Sequence, residues 1–183
     1  MRIGIDIDDT ICRTTELVNE KMEEYASKNN IEVLDIMNYD DIKDKFFDEY
    51  LSVIYRDVMV KRDVQNVIRR LRNKGNEIYF ITGRSIYRTS SINDVIEITN
   101  EWLRKNNIES DGVFFSAYGE SKADVCKREK IDLMIDDDPY NYKMLTGNGV
   151  HCLLFDDREK YDLRKDYVTS WIEVEEFIGK FRG

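Results

Sequence analysis

Two acidic clusters, Asp6-Ile7-Asp8-Asp9-Thr10 and Asp136-Asp137-Asp138, lie about 130 residues apart in this chain. Between them stand a Thr82-Gly83-Arg84 triplet and a lysine, Lys122. Carboxylates gathered at one place repel one another unless a cation sits among them. Oxygen ligands without a nearby histidine select a hard ion, Mg²⁺ above all. A carboxylate can also attack phosphorus, forming an aspartyl-phosphate that splits one hard displacement into two easier ones. Asp6, at the end of an apolar run, is the candidate nucleophile. Asp8, two residues on, could protonate the departing alkoxide and later deprotonate the attacking water. The hydroxyl of Thr82, the Gly83 amide and the ammonium of Lys122 are candidates to hold phosphoryl oxygens. Taken singly, Thr82 also reads as a cap or turn residue and Lys122 as a solvated helix-start charge. Asp9 reads as a turn residue.

These residues share a site only if the elements between them bring them together. Short apolar runs at residues 2–7, 77–82, 113–116, 131–136 and 150–155 read as buried strands. Helical patterns alternate with them at about 63–73, 91–106, 122–129 and 140–146, and a last one runs from 170 to 181. Ser91 and Ser170 are plausible N-caps and Gly75 a helix stop. Such alternation predicts an α/β fold, a doubly wound, Rossmann-like parallel sheet of about five strands. In sheets of this kind ligands bind beyond the carboxyl ends of the strands, which is where both acidic clusters, Thr82 and Lys122 fall. If the first strand continues to Asp8, then Asp6 and Asp8 point to one side of it.

The first crossover is too long for a simple βα unit. Residues 14–59 form a separate helical insert, with Leu17, Val18, Met22 and Tyr25 at helical spacing and a second apolar cluster from Ile42 to Tyr55. The expected organisation is a core of residues 1–13 and 60–183 with this small insert after the first strand.

Composition narrows the classes. The 183 residues carry 28 Lys plus Arg and 37 Asp plus Glu, a formal charge of −9, so attraction to nucleic acid polymers or anionic lipid is not expected. No apolar run approaches the length needed to cross a bilayer. An acid at position 6 sits where a signal peptide would be apolar, and three widely spaced cysteines read as reduced thiols, so a cytoplasmic protein is expected. The single histidine, His151, removes His-rich zinc sites and His-Glu-x-x-His peptidases, and reads as structural.

Asp6-Ile7-Asp8-Asp9-Thr10-Ile11, the Thr82 that ends an apolar strand, Lys122 and Ile135-Asp136-Asp137 together resemble, in order, the four motifs of haloacid dehalogenase superfamily phosphatases. The resemblance implies a nucleophile and metal ligand at Asp6, and at Asp8 an acid/base that meets the metal through its carbonyl. It implies phosphate contacts from Thr82 and Lys122, and a Mg²⁺ shell completed by Asp136 or Asp137. It also makes the insert a small helical cap of the first type. Within the superfamily the chain is similar to the 5′-(3′)-deoxyribonucleotidase branch and its bacterial relatives. The carriers are the small cap, Glu101-Trp102-Leu103, Lys122-Ala123-Asp124-Val125 and Ile135-Asp136-Asp137-Asp138. Animal members of that branch have Gly-Val at Asp9-Thr10 and Ser-Pro at Gly83-Arg84.

The expected activity is Mg²⁺-dependent hydrolysis of a phosphomonoester, a nucleoside (deoxy)monophosphate or alternatively a sugar phosphate. Phe46, Phe47, Tyr50 and Tyr55 are candidates to stack on a base, and Arg13, Arg84 and Arg88 to meet a second anionic group. A receiver-type signalling module uses similar residues, but there the phospho-acceptor follows the acidic pair on a middle strand. Here the strand after Thr82 ends in Ser116, without an acid. A non-catalytic phosphate-binding relative is the third reading, and the presence of Asp6, Asp8 and Lys122 together weighs against it.

Overall fold

The computed structural model describes residues 1–84, 92–116, 120–158 and 167–181. Arg88 and Ser91, named above, lie outside the described residues. Six strands form one sheet: β1 (Arg2–Ile5), β2 (Glu77–Thr82), β3 (Gly112–Phe115), β4 (Leu133–Asp136), β5 (Cys152–Phe155) and β6 (Tyr167–Val168). Their order is β3-β2-β1-β4-β5-β6 and every neighbouring pair is parallel. The α/β parallel sheet expected from the sequence is present, with one strand more than expected. β6 has two residues, too few to display an alternation.

Alternation of side chains along the strands builds two cores. Ile3, Ile5, Phe80, Leu133, Ile135 and Leu153 pack with helices α4 (Val64–Asn73) and α8 (Trp171–Lys180). Tyr79, Ile81, Met134 and Cys152 instead meet helices α6 (Lys122–Arg128) and α7 (Pro139–Gly147), through Cys126 and Leu145 among others. Gly4 belongs to this second face, and a Cβ there would lie 2.8 Å from Met134 Sδ, so glycine is what lets the layers close. His151 precedes β5, is exposed, and meets Phe181 edge-on at 5.4 Å.

Helices α1 (Thr14–Asn29), α2 (Val33–Asn38) and α3 (Asp40–Asp57) occupy the long first connection. They form a third cluster in which Met22, Tyr25, Ile36, Phe46, Tyr50 and Ile54 are buried, joined by Val95 from α5 (Ile92–Lys105). The chain enters and leaves this insert side by side. The Arg13 amide donates to Met59 O at 2.9 Å, and the Lys61 amide to Ile11 O at 2.9 Å. Trp102 of α5 donates its indole N–H to Val58 O at 2.8 Å, fastening the return to the core. Among the described residues no helix is long and apolar enough to cross a membrane.

Candidate active site

The sheet order reverses at β1, whose neighbours are β2 and β4, and a crevice at such a switch point is the expected ligand site. The Asp6 amide extends the ladder one step past β1 by donating to Ile135 O at 2.9 Å. The chain then turns. Asp9 takes a left-handed conformation (φ 56°), and the Ile11 amide closes on Ile7 O at 3.0 Å. Strand alternation therefore does not set Asp8, contrary to the expectation that β1 might run through it. A turn does. Asp9 is the turn residue, and its carboxylate accepts from the Thr15 amide at 3.1 Å and from Arg158 at 3.0 Å.

Asp136 ends β4 beside Asp6. Lys122 arrives as the first residue of α6, whose start is fixed by a capping box between Ser121 and Asp124. Its Nζ lies 2.5 Å from Asp6 Oδ1 and 2.7 Å from Asp136 Oδ2. Asp136 Oδ1 accepts from the Asp138 amide at 3.0 Å and from Asn141 Nδ2 at 3.1 Å. Asp138 is exposed and caps α7, accepting from the Tyr140 amide at 2.8 Å, with Pro139 in the first turn. The Thr10 hydroxyl lies between two acids, 3.4 Å from Asp6 Oδ2 and 3.2 Å from Asp137 Oδ1.

Carboxylate oxygens of Asp6, Asp136 and Asp137 lie within 4.8 Å of one another. Three acids face one ammonium, and the surplus negative charge bears on Asp6 and Asp137. Burial, with Asp136 and the other acids adding to it and Lys122 opposing, pushes Asp6 well above the usual carboxylate range. Burial, then Asp136 and Asp9, raises Asp137 to about 7. Lys122 is shifted up, burial being outweighed by Asp6 and Asp136. An all-oxygen donor set with surplus negative charge fits a hard divalent cation. The carboxylate of Asp8 does not join this group; it is turned to Arg84.

That pairing corrects the expected role of Arg84. Its side chain is fully buried and holds Asp8 through Nε (3.2 and 3.1 Å to the two oxygens) and Nη2 (3.0 Å to Oδ1). It rests on the Tyr55 ring at 4.3 Å and donates to Thr99 at 3.3 Å, so it is committed inside the protein and not offered to a substrate. Burial alone would raise Asp8, but the Arg84 charge and hydrogen bonds, with Thr14 at 2.7 Å, hold it below its usual range. Arg13, the other described arginine of that group, pairs with Glu16 at 3.0 Å.

A cleft of about 520 Å³ opens on this constellation, lined by Asp6, Asp8, Gly83 and Lys122, and farther out by Tyr140 and Met144. Thr82 is buried at the end of β2, where its hydroxyl accepts from the Arg84 amide at 3.1 Å; it does not line the cleft. None of the four insert rings lines it either. Phe46 and Tyr50 are buried in the insert's own cluster and stack on each other at 5.5 Å. Phe47 is half-buried and packs edge-on against Phe46 at 5.0 Å, and Tyr55 lies under Arg84. Helical spacing marks these rings as apolar, but three packed helices need them for their own core. Sequence reasoning missed Thr10, Thr14 and Asn141, short polar residues whose partners are distant in the chain or on another turn. Only their positions four to six residues from Asp6, Asp8 and Asp136 hinted at contact.

No protein-family model matches the chain. A solved haloacid dehalogenase-like family hydrolase from Streptococcus pneumoniae superposes with a TM-score of 0.72, covering 97% of each chain at 13% identity. The chain has the haloacid dehalogenase fold. CbbY from Rhodobacter sphaeroides, solved in complex with xylulose-1,5-bisphosphate, matches with a TM-score of 0.62 over 94% of this chain and 95% of that one, at 12% identity. Among curated sequences, a protein of Oceanobacillus iheyensis named "Putative nucleotidase" is 23% identical over 192 residues, 97% of both chains. "Putative nucleotidase YqfW" of Bacillus subtilis is 25% identical over 189 residues, 97% of this chain and 93% of that protein. The resemblance carried by the four motifs is borne out at the level of fold and relatives.

Proposed function

We propose that this chain is a phosphomonoester hydrolase working through a covalent intermediate on Asp6. The observation that carries the reading is Lys122 held between Asp6 and the buried Asp136, with Asp6, Lys122 and Asp8 all lining one cleft. Asp6 supplies the attacking oxygen. Lys122, anchored by two carboxylates, neutralises charge on the transferring group, and the Gly83 backbone offers a further contact. Asp8 is the acid/base: it takes a proton from the attacking water, and because Arg84 holds it below the usual carboxylate range it must gain a proton before it can serve the leaving oxygen. Asp6, Asp136 and Asp137 would hold the cation, with the Asp8 carbonyl as a fourth ligand. When bound, Mg²⁺ would neutralise the surplus charge and polarise the phosphoryl group. Residues 14–59 act as a cap on the core of 1–13 and 60–183. The protein works in the cytoplasm, where its buried Cys12, Cys126 and Cys152 stay free.

Nucleoside monophosphates are the proposed substrates, supported by the names of the two relatives. The insert rings give this no support. Tyr140, 68% exposed, and Met144, 42% exposed, offer an alternative apolar face at the cleft mouth. A base stacked there would gain about 1–3 kcal/mol. A sugar phosphate is the second reading, favoured by the absence of insert rings from the cleft among the described residues.

Activity on a generic phosphomonoester is expected to fall at least about a hundredfold with a chelator and to return with Mg²⁺ but poorly with Ca²⁺. Full turnover in metal-free protein would refute the cation site. Across a panel, kcat/KM for nucleoside monophosphates should exceed that for base-free sugar phosphates by about tenfold or more. Equal values would transfer the assignment to the sugar phosphate reading.

A further inference from the structure

Beyond Asp6 and Lys122, the cleft is lined by two core helices. Among the described residues, Ser116, Glu120 and Ser121 contribute from just before α6, and Tyr140, Asn141 and Met144 from the first half of α7. Tyr140 and Met144 stand four positions apart, on one face of the helix, and both are large apolar side chains left exposed. Their helix is tied to the reacting centre. The Asp138 amide and Asn141 Nδ2 both donate to Asp136 Oδ1, at 3.0 and 3.1 Å, while Asp138 caps the first turn. A ring carried on a helix anchored this way is a fixed platform.

The groups contributed from before α6 are acceptors. Ser116 gives its hydroxyl proton to Thr82 O at 2.9 Å, and Ser121 gives its own to Asp124 at 2.8 Å. Each keeps lone pairs and has no proton left to offer. Glu120 is a half-buried carboxylate paired with Arg128. Arg128 is shared with Glu129 at 2.8 Å, so two negative charges divide one positive. Lys122, the cation of the lining, is already held between Asp6 and Asp136. A group entering here meets acceptors and surplus negative charge. It is favoured when neutral and rich in donors, and repelled when it carries a second phosphate.

We infer that Glu120 is a specificity-determining residue: the leaving group lies between α6 and α7, stacks on Tyr140 and turns its hydrogen-bond donors to Glu120, which rejects esters bearing a second anionic group. This rests on the proposed phosphatase reading and narrows it. The substrate class is a nucleoside carrying one phosphate, and discrimination resides in the core helices. Tyr140 reads the base and Glu120 reads the charge.

The test compares kcat/KM with Mg²⁺ for release of the 5′-phosphate from adenosine 5′-monophosphate, adenosine 3′,5′-bisphosphate and ribose 5-phosphate. Wild type, Tyr140→Ala and Glu120→Gln are the proteins. Tyr140→Ala should lower the ratio of the nucleoside monophosphate over ribose 5-phosphate by about tenfold. Glu120→Gln should raise the ratio of the bisphosphate over the monophosphate by about tenfold, and the Arg128 it releases acts in the same direction. Both changes should appear in KM, because the contacts are made equally in the ground and transition states. Ratios unmoved in both variants, while wild type hydrolyses ribose 5-phosphate, would overturn the inference and leave the phosphatase reading standing. A shift with Tyr140→Ala alone would overturn the role of Glu120. Folded wild-type protein inactive on all three esters would overturn the phosphatase reading and this inference with it.

Discussion

Asp6→Asn is expected to lower turnover of any phosphomonoester by roughly 10⁴-fold or more, because an amide is too poor a nucleophile to replace the carboxylate. The fold should survive the change. Asp6 is buried, 2.5 Å from Lys122, but it is also one of three acids crowded around that single ammonium. The isosteric amide relieves part of that repulsion, and Asp136 still pairs with Lys122 at 2.7 Å. Unchanged thermal melting beside lost turnover would separate chemistry from folding. Near-normal turnover would place the nucleophile elsewhere.

Lys122→Met is expected to be damaging twice over. It removes the fixed positive charge facing the transferring group, which should lower kcat/KM by about a thousandfold. It also leaves Asp6, Asp136 and Asp137 without their ammonium, and breaking a buried ion pair on one side costs about 3–5 kcal/mol. The loss should depend on pH in a definite direction. Asp6 and Asp137 have folded-state pKa values above those of the unfolded chain, Asp137 at about 7. Between the unfolded carboxylate value and about 7 the folded state therefore binds more protons than the unfolded one. Its stability must fall as pH rises through that window. Urea titrations of metal-free protein should show the variant close to wild type at pH 5 and much weaker at pH 8, with Mg²⁺ restoring part of the difference. A variant as stable as wild type at pH 8 without metal would contradict the charge balance described for the site.

What could be read from the sequence followed the backbone. The run EIYFIT matches β2 residue for residue, and Lys122 begins α6 as expected. Both acidic clusters lie at strand ends because β1 and β4 are neighbours in a parallel sheet. Periodicity says which residues are apolar and where a strand stops, and the site depends on little more. It does not say which core an apolar ring will join. The insert rings could serve a pocket or their own helices, and here they join the core that the three helices build among themselves. Nor could spacing reveal that Arg84 faces Asp8 across 76 positions, since the turn after β1 and the packing of α3 and α5 decide it. β6 follows a connection without strand periodicity and is two residues long, so nothing in the pattern announced it.

The central claim is that a phosphoryl group rests on Asp6, and trapping tests it most directly. Protein with Mg²⁺ and a rapidly cleaved phosphomonoester, quenched within the first turnover and reduced with borohydride, should yield a peptide in which residue 6 has become homoserine. Asp8 and the remaining acids should be unmodified, and Asp6→Asn protein should give no such product. Turnover that leaves Asp6 unreduced, or that puts the modification on Asp8, Asp136 or Asp137, would contradict the account.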